Sequence, residues 1–466
     1  MMKFNFIRSN GHQQSMTTKP CQDTGSEFAR PLNTHDLSRR EFLAALAAAT
    51  GVLTLAGCGD DDGGAALAPE FAALPAPESS GIEHVVVVMM ENRSFDHFLG
   101  WLPGADGKQA GLTFTDKQGN SQRTFPLTPN FQNCQFADPD HSYDGGRAQF
   151  DGGAADGWLR AATDDRFPIG YYTQEDLPFY GRAVPAWTTF DRYFAAFLGP
   201  TYPNRLYMHS AQTDRTDNTL TPSTMPAIWD RLAAKGRTGT YYYSDLPITA
   251  LYGNRFNRIS KRFPQFLADA AAGTLPDVAF VDPRFIGEAQ GTSGDDHPLA
   301  DIRNGQAFVN QVYDAVTGSP NWPNTVLIYN YDEWGGFFDH VPPPMAPQTA
   351  LDPQIGNDGR LGFRVPCLLV SPLARRGFVA HRQYDHTSIL SLIEWRWGLD
   401  PLSARDAAAT NIAHALAFDQ PNNMAVPQFS VPQGPFGSAC PATSGAERPE
   451  IAGLRDLAER YDFPSP

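Results

Sequence analysis

The chain has 466 residues, a formal charge of −15, and is 12% aromatic and 19% charged. That composition is globular, not disordered. The acidic balance excludes nonspecific nucleic-acid binding, which needs clustered Lys and Arg, and offers anionic lipid no attraction, so a lipid substrate would have to be caught locally.

The first predicted element is a targeting segment. LSRREFLAALAAATGVLTLAGC sets Arg39 and Arg40 before an apolar run ending at Leu55-Ala56-Gly57-Cys58. The pattern resembles a twin-arginine export signal closing in a bacterial lipobox. Residues 1–57 are then expected to be removed and Cys58 lipidated, which makes the chain an exported cell-envelope lipoprotein held to the membrane. The apolar run 42–57 is short for a membrane span, which needs ~20 residues. GDDDGGAALAPEFAALPAPESSG follows, and residues 58–81 read as a flexible acidic tether. With Cys21 removed and Cys58 acylated, Cys134, Cys367 and Cys440 remain. Cys367 lies in the apolar VPCLLVSP, which leaves Cys134 with Cys440 as the pair to consider.

Next come short apolar runs that read as buried strands: HVVVVMM, DVAFVDP, TVLIYNY and VPCLLVSP. Near-continuous runs of this length suit a parallel sheet covered on both faces. Helical patterns alternate with them. MPAIWDRLAAKG has Pro226 near its start and Gly236 past its end. YDHTSILSLIEWRWGL puts Ile389, Leu390, Ile393 and Trp397 on one stripe and stops at Gly398, with Asp385, His386 and Thr387 as a cap. The expected fold is a three-layer α/β sandwich, a mostly parallel central sheet with helices on both faces. Residues 103–200 break the rhythm and read as long excursions around the mouth of the sheet. After about residue 405 the chain turns Pro-rich and is expected to wrap the body.

Two predicted strands end alike. VVVVMM runs into Glu91-Asn92, and VLIYNY runs into Asp332-Glu333. Ligands bind outside the carboxyl ends of parallel strands. Were the two strands neighbours, three carboxylates and an amide oxygen would form a hard oxygen cage for a divalent cation, Ca, Mg or Mn before Zn. Capped polar turns are the bland alternative. In FLGPTYPNRLYMHSA, Pro203 sits where a helix would begin, so Thr201 lies just ahead of an N-terminus that favours anions. A hydroxyl there is a candidate nucleophile. His297 in GTSGDDHPLAD, His340 in FFDHV and His141 in DPDHSYDGG are candidates to hold phosphoryl oxygens or protonate a leaving group. Singly, each is more often a structural hydrogen-bonder. His209 reads as structural.

Together ENRSFDHFLG, GPTYPNRLY, DDHP, DEWGGFFDHVPPP, VPCLLVSP and DHTSILSLIEWRWGL resemble the successive motifs of the bacterial phospholipase C and acid phosphatase family, shared by plant nonspecific phospholipases C. The resemblance spans roughly residues 82–400. It implies an alkaline phosphatase-like fold, with residues 82–466 as one phosphoesterase domain with a Pro-rich C-terminal wrap. It also implies hydrolysis through a phospho-enzyme. Glu91, Asn92, Asp332 and Glu333 match the family's metal ligands, Thr201 its nucleophile, and His297 and His141 its phosphate-contacting histidines. His340 matches the motif. The chain departs at Ser210-Ala211-Gln212, where members commonly carry Ser-Gly-Thr.

The expected function is that of a phosphoesterase dependent on one divalent ion. Phospholipase C-type cleavage of phosphodiesters through phospho-Thr201 comes first, an acid phosphatase acting on monoesters second. The alternative from another class is a surface lipoprotein that binds metal or ligand without turnover. Tyr171, Tyr172 and Trp187 are candidates for an aromatic mouth that would take a choline headgroup.

Overall fold

The computed structural model describes residues 73–161, 165–440 and 447–464. Arg39, Arg40, Cys58 and most of the tether lie outside the described residues.

β-branched residues, stiff at χ1, favour extended backbone, and they build an eight-stranded sheet. Its strands are β1 (His84–Met90), β2 (Thr188–Phe190), β3 (Gly239–Tyr243), β4 (Ser260–Arg262), β5 (Val278–Asp282), β6 (Thr325–Tyr331), β7 (Cys367–Val370) and β8 (Phe378–Ala380). They lie in the order β8-β2-β7-β6-β1-β5-β3-β4. HVVVVMM and TVLIYNY form strands over their full length, and DVAFVDP loses one residue at each end. All pairings are parallel except those of β7, which runs antiparallel to β6 and β2. VPCLLVSP did not foretell that reversal, because an apolar run reports burial on both faces and not strand direction. β1, β5 and β6 are almost wholly buried, so both faces are covered and the fold is a three-layer α/β sandwich.

The helices that matter below are α1 (Phe95–Leu99), α2 (Tyr143–Phe150), α3 (Thr201–Ser210), α4 (Ile228–Ala234), α5 (Phe263–Ala272), α6 (Ile302–Thr317), α7 (His386–Trp397) and α8 (Pro449–Arg460). α7 stops at Gly398, whose φ is +60°. Its cap is Asp385, which accepts from Thr387 N–H at 2.7 Å. His386 takes no part in that cap; its Nε2 meets the Tyr331 carbonyl at 3.0 Å. α3 starts at Thr201 itself, not after it. Pro203 sits in its first turn, where the missing N–H forfeits no helical bond. The family departure falls at the end of this helix: Ala211 takes φ +54°, a conformation glycine adopts freely.

One side chain docks α3 on the sheet. Arg205, 1% exposed, meets Glu91 at 3.2 Å, Asp282 at 3.0 Å and Asp332 at 3.3 Å. These acids stand at the carboxyl ends of β1, β5 and β6, three strands side by side. α3 also carries His209, buried among Trp229, Tyr241, Tyr252 and Phe280. Burial, and Arg205 after it, pushes its pKa down to about 3.

The C-terminal segment contacts the body at several points. Arg376 bonds the carbonyls of Asn423 and Ala425, Tyr313 bonds that of Pro427, and Cys440 forms a disulfide with Cys134. α8 follows, with Pro449 at its start and Ile451, Leu454, Leu457 and Ala458 on one buried stripe, a helical pattern that the expectation of a Pro-rich wrap passed over.

The docking of α3 can be tested through stability. Arg205→Ala leaves buried Asp282 and Asp332 without their counter-charge and Glu91 with Arg448 alone, so it should lower unfolding free energy by about 3–5 kcal/mol; an unchanged denaturant midpoint would refute the anchor. Unfolded His209 takes a proton near pH 6.5 but the folded residue only near 3. Stability must therefore fall as pH drops below about 6.5. His209→Phe should flatten the fall in melting temperature between about pH 6.5 and 4.5 relative to wild type; identical pH profiles would show that His209 is not the group responsible.

Candidate active site

The parallel register aligns the two strand ends. Met90 pairs with Tyr331, so Glu91-Asn92 and Asp332-Glu333 emerge side by side. Asp332 Oδ1 accepts from Asn92 N–H at 3.3 Å and from Glu333 N–H at 2.7 Å. Asn92 turns the chain with φ +62°, which Asn tolerates better than most residues. Gly335 has φ +65°, and any Cβ on it would overlap the Asn92 carbonyl, so only glycine lets the two strand ends close up. Its N–H binds Glu333 Oε2 at 2.7 Å and so orients that carboxyl. Asn92 Oδ1 and Glu333 Oε1 are left buried with no hydrogen-bond partner.

This crowding is electrostatically costly. Burial, and then Asp332, raises the Glu333 pKa well above the carboxylate range. Burial pushes Asp332 up to about 7, although Arg205 opposes it. Either the acids take protons or a cation neutralises them. Unpartnered hard oxygens beside Glu91 and Asp332 fit a hard divalent ion.

Thr201 is 3% exposed and its hydroxyl is also unpartnered. It precedes Arg205 by four residues, so both lie on one face of α3. Arg205 therefore turns the Thr201 face toward the strand ends. Asn204 pins the approach: its Nδ2 reaches the Gly199 carbonyl at 2.8 Å, and its Oδ1 accepts from Phe197 N–H at 2.9 Å.

Two predicted histidines converge beside Asn92. His141 Nδ1 faces the Pro139 carbonyl at 2.8 Å, and its Nε2 faces the Asn92 amide nitrogen at 3.3 Å. His297 is fully buried, with Nδ1 at 2.5 Å from the Pro298 carbonyl and 3.4 Å from Glu288. Asp138 joins them, 3.8 Å from His297 and 3.9 Å from His141. Burial and Arg448 disfavour charge on His297, but Glu288 and Asp138 outweigh them and push its pKa up to about 9.

His340 lies in a different cluster. Its Nδ1 is 2.5 Å from Asp96 and its Nε2 3.0 Å from Asp106, while Arg364 binds Asp96 and Asp339. Both ring nitrogens are engaged there. The aromatic-mouth expectation is corrected: Trp187 and Tyr172 are 0% exposed and Tyr171 9%, all packed in hydrophobic clusters. Trp187 stacks under Arg376, and the Tyr172 hydroxyl is bonded by Asn133.

Several charges here escaped the sequence reading. Asp282 anchors Arg205. Asp295, N-terminal to His297, has its pKa raised by burial and then by Glu91. Glu288 orients His297. Arg448 bridges Glu288 at 2.5 Å and Glu91 at 3.4 Å. Glu288 sits in a loop turn without strand or helix periodicity, and Arg448 only precedes the first turn of α8, so nothing local marks either as part of a site. Asp138 stood inside the DPDH segment, and its spacing from His141 was the signal to use.

The chain matches the model of the Phosphoesterase family over residues 82–400. It is 30% identical to non-specific phospholipase C6 of Arabidopsis thaliana over 429 residues, covering 82% of this chain and 78% of that protein. It is 32% identical to phospholipase C B of Mycobacterium tuberculosis (strain ATCC 25618 / H37Rv) over 473 residues, covering 85% and 89%. Among solved structures it is similar to an alkaline phosphatase superfamily protein of Vibrio parahaemolyticus, with 8% identity, a TM-score of 0.37, and 80% and 79% coverage. The match takes in the whole sheet and the strand-end carboxylates, which sets aside a binding lipoprotein without turnover: the chain belongs to the Phosphoesterase family and is a phosphoric ester hydrolase.

Proposed function

We infer that the protein hydrolyses phosphodiesters in the manner of a phospholipase C, with Thr201 as nucleophile. The substrate class is supported by the phospholipase C relatives, which align over most of their own lengths. The observation that carries the mechanism is the buried, unpartnered Thr201 hydroxyl on the helix that Arg205 ties to Glu91 and Asp332. Glu91, Asn92, Asp332 and Glu333 would hold a divalent cation, Ca, Mg or Mn by donor hardness, with Zn accepted. When bound, such an ion supplies a Lewis-acid charge that lowers a hydroxyl pKa and shields a phosphoryl oxygen.

Thr201 releases its hydroxyl proton to solvent and attacks phosphorus in line, and the bond to the alcohol breaks opposite. His297 protonates the departing alkoxide: its Nε2 makes no hydrogen bond, and its raised pKa keeps the ring charged at neutral pH. His141, oriented by the Pro139 carbonyl, contacts the phosphoryl oxygens. His340 holds Asp96 and Asp106 and so supports the walls of the site. Water then cleaves phosphorylated Thr201, one of its protons returning His297 to the charged form as the P–O bond to Thr201 breaks, and Thr201 takes a proton from solvent.

Upstream, Arg39 and Arg40 direct export by the twin-arginine route, and lipidated Cys58 anchors the protein. Acyl burial contributes ~0.8 kcal/mol per methylene, which offsets the repulsion between the acidic tether and anionic headgroups.

Thr201→Ala should lower turnover of p-nitrophenyl phosphorylcholine by at least roughly 10³-fold with the fold intact, and Thr201→Ser should retain part of it. Near wild-type rates in Thr201→Ala would sink the covalent mechanism. Chelator and Asp332→Ala should both remove activity, and p-nitrophenyl phosphate run in parallel decides between diester and monoester. For the anchor, Arg39→Lys with Arg40→Lys should leave precursor in the cytoplasm, and Cys58→Ala should be exported yet no longer partition into detergent. Firm membrane retention of Cys58→Ala would mean that the 42–57 run is itself the anchor.

A further inference from the structure

We propose that Asn218 is a further catalytic residue, whose side-chain Nδ2 donates a hydrogen bond to a phosphoryl oxygen of the phosphoester at Thr201. The inference rests on the proposed reaction at Thr201 and starts from the way α3 begins. Pro200 stands at the head of that helix and supplies no side-chain cap. Pro203, in the first turn, has no N–H to give. The Tyr202 N–H donates to Asn218 Oδ1 at 2.8 Å, a partner 16 residues further along the chain. The anion-binding capacity expected of this helix end is thus already drawn on by a neutral side chain.

The same bond orients the amide. Only the oxygen limb can accept from an N–H, so Nδ2 is fixed on the other limb. Nδ2 makes no hydrogen bond among the described residues. The amide stands beside the peptide that joins Thr201 to Tyr202, where the Thr201 hydroxyl is buried and unpartnered. A free hydroxyl and a free amide donor at one helix end suit one phosphoryl group: the hydroxyl oxygen bonds phosphorus, and the amide meets one of the oxygens around it.

Both partners are held in place. The Tyr202 hydroxyl donates to the Glu450 carbonyl at 2.7 Å, in the first turn of α8. On the other side, buried Arg215 spans the loop that carries Asn218. Its Nη1 reaches the Thr219 carbonyl at 2.5 Å and its Nη2 the Thr221 carbonyl at 2.7 Å. The Thr219 N–H donates to the Asp217 carbonyl at 2.8 Å. Leu220 packs so closely on Gly453 of α8 that a Cβ there would overlap it. The amide is therefore set before substrate arrives, as a donor to a developing charge must be.

A cap alone would be served as well by Asp, whose charge suits a helix N-terminus. Beside a site that takes an anionic phosphoester, an Asp would repel the substrate. Asn keeps the cap and adds a donor.

The experiment compares Asn218→Asp, which keeps the cap acceptor and loses the donor, with Asn218→Ala, which loses both and adds no charge. Kinetics on p-nitrophenyl phosphorylcholine are run well below each melting temperature. Asn218→Asp should melt as wild type does. Both variants should lower kcat by about 10²-fold with a much smaller change in KM. Inorganic phosphate should inhibit both at least roughly tenfold less well. A kcat for Asn218→Ala within about threefold of wild type overturns the proposal, because a fall confined to Asn218→Asp reports charge repulsion alone. Asn218 is then a helix cap and nothing more. Calorimetric titration of inorganic phosphate into Thr201→Ala, with and without Asn218→Ala, separates this inference from the nucleophile. Weaker binding in the double variant supports the Asn218 contact even if Thr201→Ala proves active. Equal binding in the two overturns the contact, whatever the nucleophile.

Discussion

The Arg205 guanidinium, set among Glu91, Asp282 and Asp332, is the interaction on which the site depends. Three neighbouring parallel strands deliver acids to one edge of the sheet, and the register leaves them no way to separate. A buried ion pair seldom adds net stability over an apolar replacement, but removing one partner exposes the full desolvation penalty of the others. Here the partner is also the fifth residue of the helix that presents Thr201. The charge that makes the strand ends tolerable is thus the same group that sets the position of the helix that begins at Thr201. Burial pushes Asp282 upward, as it does Asp332, and in both cases Arg205 is the strongest influence opposing the rise.

The strand-end motifs were legible because their information is local. A run of valines announces a buried strand, and a carboxylate directly after it has nowhere to go but the strand's end. Within the stretch 91–97, however, Glu91 and Asn92 face the site while Arg93, Asp96 and His97 hold walls. Arg93 binds the Asp296 carbonyl and His97, and Asp96 binds Arg364 and His340. No pattern in one sequence separates the two groups, because both are buried polar residues on one short stretch. His340 shows the same ambiguity. An acid beside a histidine reads as catalytic machinery, and here the pair also joins two loops. Arg448 was not legible at all: it meets Glu91 across 357 residues of chain, and only the tertiary path brings it there.

That path is fixed from two sides. The disulfide between Cys134 and Cys440 ties the C-terminal segment to the loop that leads into Asp138, four residues on. Cys440 N–H binds the Ala289 carbonyl at 3.1 Å, next to Glu288. A single cross-link therefore holds together the segments that supply Asp138 and Glu288. In the chain-entropy account, closing a loop this long constrains the unfolded state by about 5 kcal/mol. Its local consequence matters more. The charges that flank His297 come from elements with few regular hydrogen bonds of their own, and the cross-link supplies the rigidity that a sheet supplies to Glu91 and Asp332.

The two halves of the site therefore differ in how they are held, and this bears on what each is suited to do. The cage is made by adjacent strands, with Gly335 allowing a backbone approach that any side chain would forbid. Its oxygens have little freedom, which suits a fixed charge that must not reorganise as phosphorus changes geometry. The histidine side is built from loops, with His141 and Asp138 both partly open at the rim. A rim of that kind admits a substrate, lets an alcohol leave and takes up a proton from solvent. Under the proposed mechanism the sheet would supply the invariant electrostatics, and the cross-linked loops the groups that exchange partners during turnover.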